Sequence, residues 1–239
     1  MSLILIQTIV QAVSSTLTWL GFYIGIRALP DARARKSRWI IGSAMVAVAW
    51  LVGVFLLGAA NVFRNDVLPP RVPMALFATL LLGYLLLLSP TFRQVVAAVP
   101  QHWLIGIQTF RVLGGVFLVR YYAGELPGLF ALPAGIGDVA TGLLALFVAY
   151  AWYSGKPYAR GAAIAWNLFG MADLVDAVAL GTLTGGAGGI VFPIVLIPVY
   201  AVPRAFLIHS YSLIGLLRKT SQQPRRVESL DYGTEAARA

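Results

Sequence analysis

Apolar residues run in long blocks along the chain, separated by short segments rich in proline, glycine and charge. Seven such blocks fall at about 3–27, 39–62, 73–90, 101–120, 131–152, 161–181 and 191–217. At about 1.5 Å of rise per residue each can cross a hydrocarbon layer roughly 30 Å thick with some tilt, the third being the shortest. The breaks are PDARARKSR (30–38), RNDVLPPR (64–71), Ser89 to Pro100, YYAGELPG (121–128), YSGKPYAR (153–160) and TLTGGAGG (182–189). Most contain the proline or glycine that stops a helix. The pattern predicts an all-α polytopic membrane protein, a single bundle of seven transmembrane helices over 1–217. Residues 218–239 lack apolar periodicity and read as a disordered polar tail.

Composition agrees with this reading and removes other classes. Of the 239 residues 59% are hydrophobic and 11% charged, against about 25% charged in a soluble domain. No cysteine is present, so disulfides, cysteine-ligated zinc and protein-held iron–sulfur clusters are excluded. The first charged residue is Arg27, so the leading block lacks the basic start of a cleaved signal peptide and reads as a retained span.

The net charge of +9 does not point to nucleic acid, because the basic residues cluster at helix ends. Arg27, Arg33, Arg35, Lys36, Arg38, Arg93, Lys156, Arg160, Arg218, Lys219, Arg225, Arg226 and Arg238 fall on one side, and only Arg64, Arg71 and Arg120 on the other. By the positive-inside rule the larger set marks the cytoplasm, which puts the N-terminus outside and the C-terminus inside a bacterial cytoplasmic membrane.

Several spans carry polar residues at helical spacing: Gln7, Gln11, Ser14 and Thr18; Gln101, Gln108, Arg111 and Gly115; Gly135, Asp138, Thr141 and Gly142. Small residues beside polar ones mark helix contacts, so these stripes are expected to face inward. Well inside the spans lie Arg111, Arg204, Asp138, Asp173 and Asp176. A charge at the bilayer centre costs about 2.5–3.5 kcal/mol or more, so these groups are expected to meet one another or water. Two arginines against three aspartates leave one carboxylate over, and Asp173 or Asp176 is the candidate for a proton or ligand site. Such pairs can equally fix helix register. The last span has Pro193, Pro198 and Pro203 before Arg204, which predicts a kinked inward helix.

Two histidines, His102 and His209, both fall in the cytoplasmic half, where a bis-histidine haem b between spans is conceivable. Trp19, Trp39, Trp103, Trp152, Tyr121 and Tyr122 lie near span ends, as interfacial aromatics do. TGGAGG lacks the lysine and preceding strand of a phosphate loop, and no HExxH, GxSxG or calcium-loop pattern occurs. The last span has no lysine, so no retinal Schiff base is expected. No convincing internal repeat is present, so the inverted-repeat transporter signature is missing.

Four segments, QHWLIGIQTFRVLGG, FALPAGIGDVATGL, WNLFGMADLVDAV and FPIVLIPVYAVPRAFLIHSYSLIGLLR, resemble a group of bacterial integral membrane proteins without an assigned function. Gln108 with Arg111, Gly135 with Asp138, Trp166 and Asn167 with Gly170, and a proline-rich last helix containing His209 carry the resemblance over about residues 101–217. It implies the membrane architecture and no reaction. The functional expectation is a small transporter or channel-like protein, more readily a non-enzyme than an enzyme. Its centre of Gln108, Arg111, Asp138, Asn167, Asp173, Asp176 and Arg204 would bind a small polar or anionic solute, with or without a proton. A sensor without flux, a haem electron-transfer protein on His102 and His209, and a non-catalytic subunit of a larger membrane complex are the rivals.

Overall fold

The computed structural model describes residues 3–63, 71–184 and 191–218. Regular structure among the described residues is entirely helical: α1 (Leu3–Ala28), α2 (Arg33–Ala59), α3 (Arg71–Leu86), α4 (Pro90–Ala98), α5 (Gln101–Gly106), a 3₁₀ segment (Ile107–Gly115), α6 (Val116–Tyr122), α7 (Gly128–Tyr153), α8 (Ala159–Leu183), a π-helical turn (Ile197–Ala201) and α9 (Val202–Leu217). The long helix α7 packs along the α5–3₁₀–α6 run on one side and along α8 on the other; α9 packs on α8 and α3, and α1 on α2 and α4.

Five helical stretches are long and apolar enough to cross a membrane: Ile4–Ala28, Arg33–Ala59, Gln101–Tyr122, Gly128–Tyr153 and Ala159–Leu183. Counting α3 and α4 together gives six. The partition of side chains is that of a protein in lipid. Outward positions hold Met45, Val46, Leu56, Phe77 and Phe147, all exposed, whereas Gln7, Gln11, Gln108, Arg111, Asn167 and His209 are buried. Hydrocarbon cannot satisfy polar groups, so they turn toward each other.

Two sequence expectations change here. The break expected from Ser89 to Pro100 contains helix α4, bent by 94° from α3. Ser89 accepts a hydrogen bond from the Phe92 backbone N–H at 3.4 Å, and Pro90 stands at the start of the helix. A serine cap followed by proline is a helix start as well as a stop. Val95 of α4 is buried against α1, and the Phe92 and Phe22 rings lie 5.4 Å apart. Gly25 permits this approach, since a Cβ there would collide with the Val95 carbonyl.

The expected last span, 191–217, is a regular α-helix only in α9, which has 16 residues. Pro198 and Pro203 have no N–H for the carbonyls four residues back, Ile194 and Val199. The chain between them winds as a π turn, a form that recurs at functional sites. Ile194, Val195, Leu196 and Val199 are nonetheless buried in the main apolar cluster with Phe117 and Phe130. The expected tail lies outside the described residues apart from Arg218, as do 64–70 and 185–190 within two of the breaks.

Candidate functional site: a buried arginine between two aspartates

Arg111 projects from the 3₁₀ segment into the space between α7, α8 and α9, with its side chain 2% exposed. Its guanidinium has five N–H donors in a rigid plane, and every one of its nitrogens has an acceptor. Nε donates to Asp138 Oδ1 of α7 at 2.7 Å, and Nη2 lies 2.7 Å from the same oxygen. Nη2 also donates to Asp173 Oδ2 of α8. Nη1 donates to the Gly170 carbonyl at 3.0 Å and contacts His209 Nε2 of α9 at 3.2 Å. Three helices are thus tied to one cation.

The protonation pattern of His209 follows from its partners. Asn167 uses its amide N–H groups on the Ala163 carbonyl at 2.8 Å and Ser212 Oγ at 2.9 Å. Its Oδ1 is therefore the acceptor for His209 Nδ1 at 3.0 Å, and Nδ1 carries the proton. Nε2 then accepts from Arg111, so the ring is the neutral Nδ1–H tautomer. Gln101 Nε2 donates to Ser212 Oγ as well. A continuous chain results: Gln101, Ser212, Asn167, His209, Arg111, Asp138 and Asp173.

Glycines make the space. A Cβ on Gly114 would overlap the Asp138 carboxylate, one on Gly137 the Asp173 carboxylate, and one on Gly170 the His209 ring. Gln108, fully buried beside Arg111, donates to the Ala205 carbonyl at 2.8 Å.

Beside Arg111 and Asp138, toward α1, lies a small pocket of about 30 Å³ lined also by Gln7, Gln11 and Gly114. Gln7 Oε1 and Gln11 Oε1 are buried and have no hydrogen-bond partner among the described residues. A buried water needs about 10–15 Å³ of such volume and two or more polar partners, so the pocket has room for about two waters.

The expected sharing of charge is not the one adopted. Arg111 takes both Asp138 and Asp173, while Asp176 is exposed on α8, outside the contacts around Arg111. Among the described residues no carboxylate pairs with Arg204. Its Nη1 donates to Ser15 Oγ at 2.8 Å and Nη2 to Ser14 Oγ at 2.7 Å. The guanidinium carbon lies 4.7 Å from the Phe110 ring centre and 4.9 Å from that of Tyr200. Rings and hydroxyls replace the counter-ion. Replacing Arg204 with methionine strands no charge, and Ser14 and Ser15 keep their bonds to the Gln11 carbonyl. The expected loss of stability is about 1–2 kcal/mol, measured by thermal unfolding in detergent. A loss matching that of an Arg111 variant would refute this account.

The bis-histidine haem conceivable from the sequence would compete with this network. Both His209 nitrogens are committed to Asn167 and Arg111, so axial ligation would dismantle the centre. His102 lies elsewhere, its ring 5.4 Å from that of Tyr153 at the end of α7.

The sequence stripes did not single out Ser212, although it stands three residues beyond His209 on the same helical face. Nor did they identify Gly114, Gly137 and Gly170 as seats for particular side chains, which depends on how neighbouring helices are rotated.

No curated protein and no solved structure matches the chain. Residues 69–217 match a family described as a domain of unknown function, DUF8737, which takes in α3 and α4 as well as every residue around Arg111 except those contributed by α1. With more than half of its length matched, the chain belongs to that family.

Proposed function

We propose that the protein is a small transporter or channel-like protein of the bacterial cytoplasmic membrane, with seven spans, its N-terminus outside and its C-terminus inside. In this reading the Arg111–Asp138–Asp173 centre exchanges a proton in step with a small polar solute. The observation that carries it is a buried guanidinium bracketed by two carboxylates beside a pocket wide enough for water. With both carboxylates ionised and His209 neutral the centre has a net charge of −1, and one proton neutralises it. An anion has no place on Arg111, whose guanidinium is already held by two carboxylates, the Gly170 carbonyl and His209. Access on two sides supports exchange. The small pocket reaches Asp138 from α1, and the Gln101–Ser212–Asn167–His209 chain reaches Arg111 from the opposite end of α9. The π turn next to α9 offers a place for the last helix to bend.

The test is proteoliposome flux with an internal pH dye. The wild-type protein is expected to dissipate an imposed pH gradient, and Asp173→Asn to slow this at least about tenfold, the usual scale for removing a proton-transfer group, while keeping its fold. Equal rates in Asp173→Asn, Asp138→Asn and protein-free vesicles would end the reading. Solute binding without flux would make the protein a sensor instead.

A further inference from the structure

A second cavity, of about 380 Å³, opens where the α3–α4 bend, the α7–α8 turn and the end of α9 come together. Its volume lies within the range of roughly 300–1,000 Å³ typical of organic-ligand pockets. Three of its lining residues are arginines, Arg93, Arg160 and Arg218, and none of the described lining residues is acidic. Gln101 also lines it.

Two of the arginines are oriented by the backbone. Arg93 Nη1 donates to the Leu87 carbonyl at 2.9 Å, and Arg160 Nη2 to the Leu216 carbonyl at 3.0 Å. One bond of five positions each guanidinium at little cost in donors, and the planar fork matches phosphate oxygens. Helix α8, 25 residues long, begins at this wall with Ala159 and Arg160, and its cap residue Tyr158 makes no side-chain cap. The positive end of its dipole therefore adds to the arginines. Leu104, Trp152 and Ile214 make an apolar part of the wall. A small inorganic anion would leave that surface uncovered, whereas an organic phosphate covers both parts.

We infer that this cavity binds an organic phosphate, with its phosphate on the Arg93–Arg160–Arg218 rim and its body against the Trp152 wall. The source is either a phospholipid headgroup at the membrane surface or a soluble phosphate ester. The inference does not depend on proton exchange at Arg111, and a result against either leaves the other standing.

The experiment uses the full-length protein in phospholipid-free neutral detergent. Glycerol 3-phosphate serves as the soluble probe, phosphatidylglycerol as the lipid probe and diacylglycerol as the control without phosphate. Binding is read by thermal shift and native mass spectrometry. The expected result is saturable binding of one or both phosphate probes but not of diacylglycerol. The single variants Arg93→Gln, Arg160→Gln and Arg218→Gln are expected to weaken it at least about tenfold, as loss of a charged hydrogen bond does. Arg160→Lys, which keeps the charge, guards against a general disturbance of the α9 end and is expected to retain part of the affinity. Binding of phosphatidylglycerol alone identifies a lipid headgroup, and binding of glycerol 3-phosphate a soluble ester. No binding of either phosphate, equal binding of diacylglycerol, or unchanged affinity in all three glutamine variants overturns the inference.

Discussion

Arg111→Leu is expected to lower the free energy of unfolding by about 3–5 kcal/mol, the scale for removing one partner of a buried ion pair. The loss comes from what remains: Asp138 and Asp173, the Gly170 carbonyl and His209 Nε2 all lose their donor at once. Arg111→Lys keeps the charge, but one ammonium has three donors for a set of acceptors spread over three helices, so it is expected to recover only part. The measurement is thermal or denaturant unfolding in detergent micelles, with Arg204→Met as the comparison. A loss below about 1 kcal/mol, the exposed-pair range, would mean that the aspartates are already hydrated and that the centre is not enclosed.

The second large effect is expected from a residue without a side chain. In Gly137→Val the new Cβ occupies the position of the Asp173 carboxylate. Either α7 and α8 separate or Asp173 leaves Arg111. Separating the helices costs about 1–3 kcal/mol, as overpacking does, and displacing Asp173 costs about 3–5 kcal/mol, as breaking a buried pair does, so the loss is about 1–5 kcal/mol according to which gives way. Because either loss arises from one contact, removing the displaced group restores part of it. The double variant Gly137→Val with Asp173→Ala is expected to be less destabilised than the sum of the two singles by at least about 1 kcal/mol, within the range for residues in contact. Strict additivity in this cycle would show that Gly137 and Asp173 do not meet.

Both effects concern pairings that the sequence listed as members without assigning partners. Periodicity placed Gln108 and Arg111 on one face, and Asp138 on a face with Gly135, Thr141 and Gly142; all of these side chains and glycines turn inward or lie on the inner face. It placed Asp173 and Asp176 on adjoining parts of α8, and only the rotation of α8 against α7 puts one at Arg111 and leaves the other exposed. Counting charges suggested that each arginine takes a carboxylate. Arg204 instead lies against Phe110 and Tyr200 and bonds to Ser14 and Ser15; Phe110 and the serines come from two other stretches of chain and are invisible in the count. The Ser89–Pro90 pair was legible as a boundary but not as the start of a helix, because α4 is held by packing on α1 rather than by length.

The sequence by itself determined that this chain is helical and that several of its helices can cross a bilayer. It also determined which residues would shun lipid, since apolar block length and the cost of a polar group in hydrocarbon are properties of single segments. The tertiary structure decided who meets whom: Arg111 with two aspartates, His209 as a neutral acceptor, Arg204 among rings, and three arginines around one cavity. Those outcomes depend on the rotation and depth of each helix relative to its neighbours. Small residues such as Gly114, Gly137 and Gly170 set these through contacts between segments far apart in the chain, which no periodicity within one helix encodes.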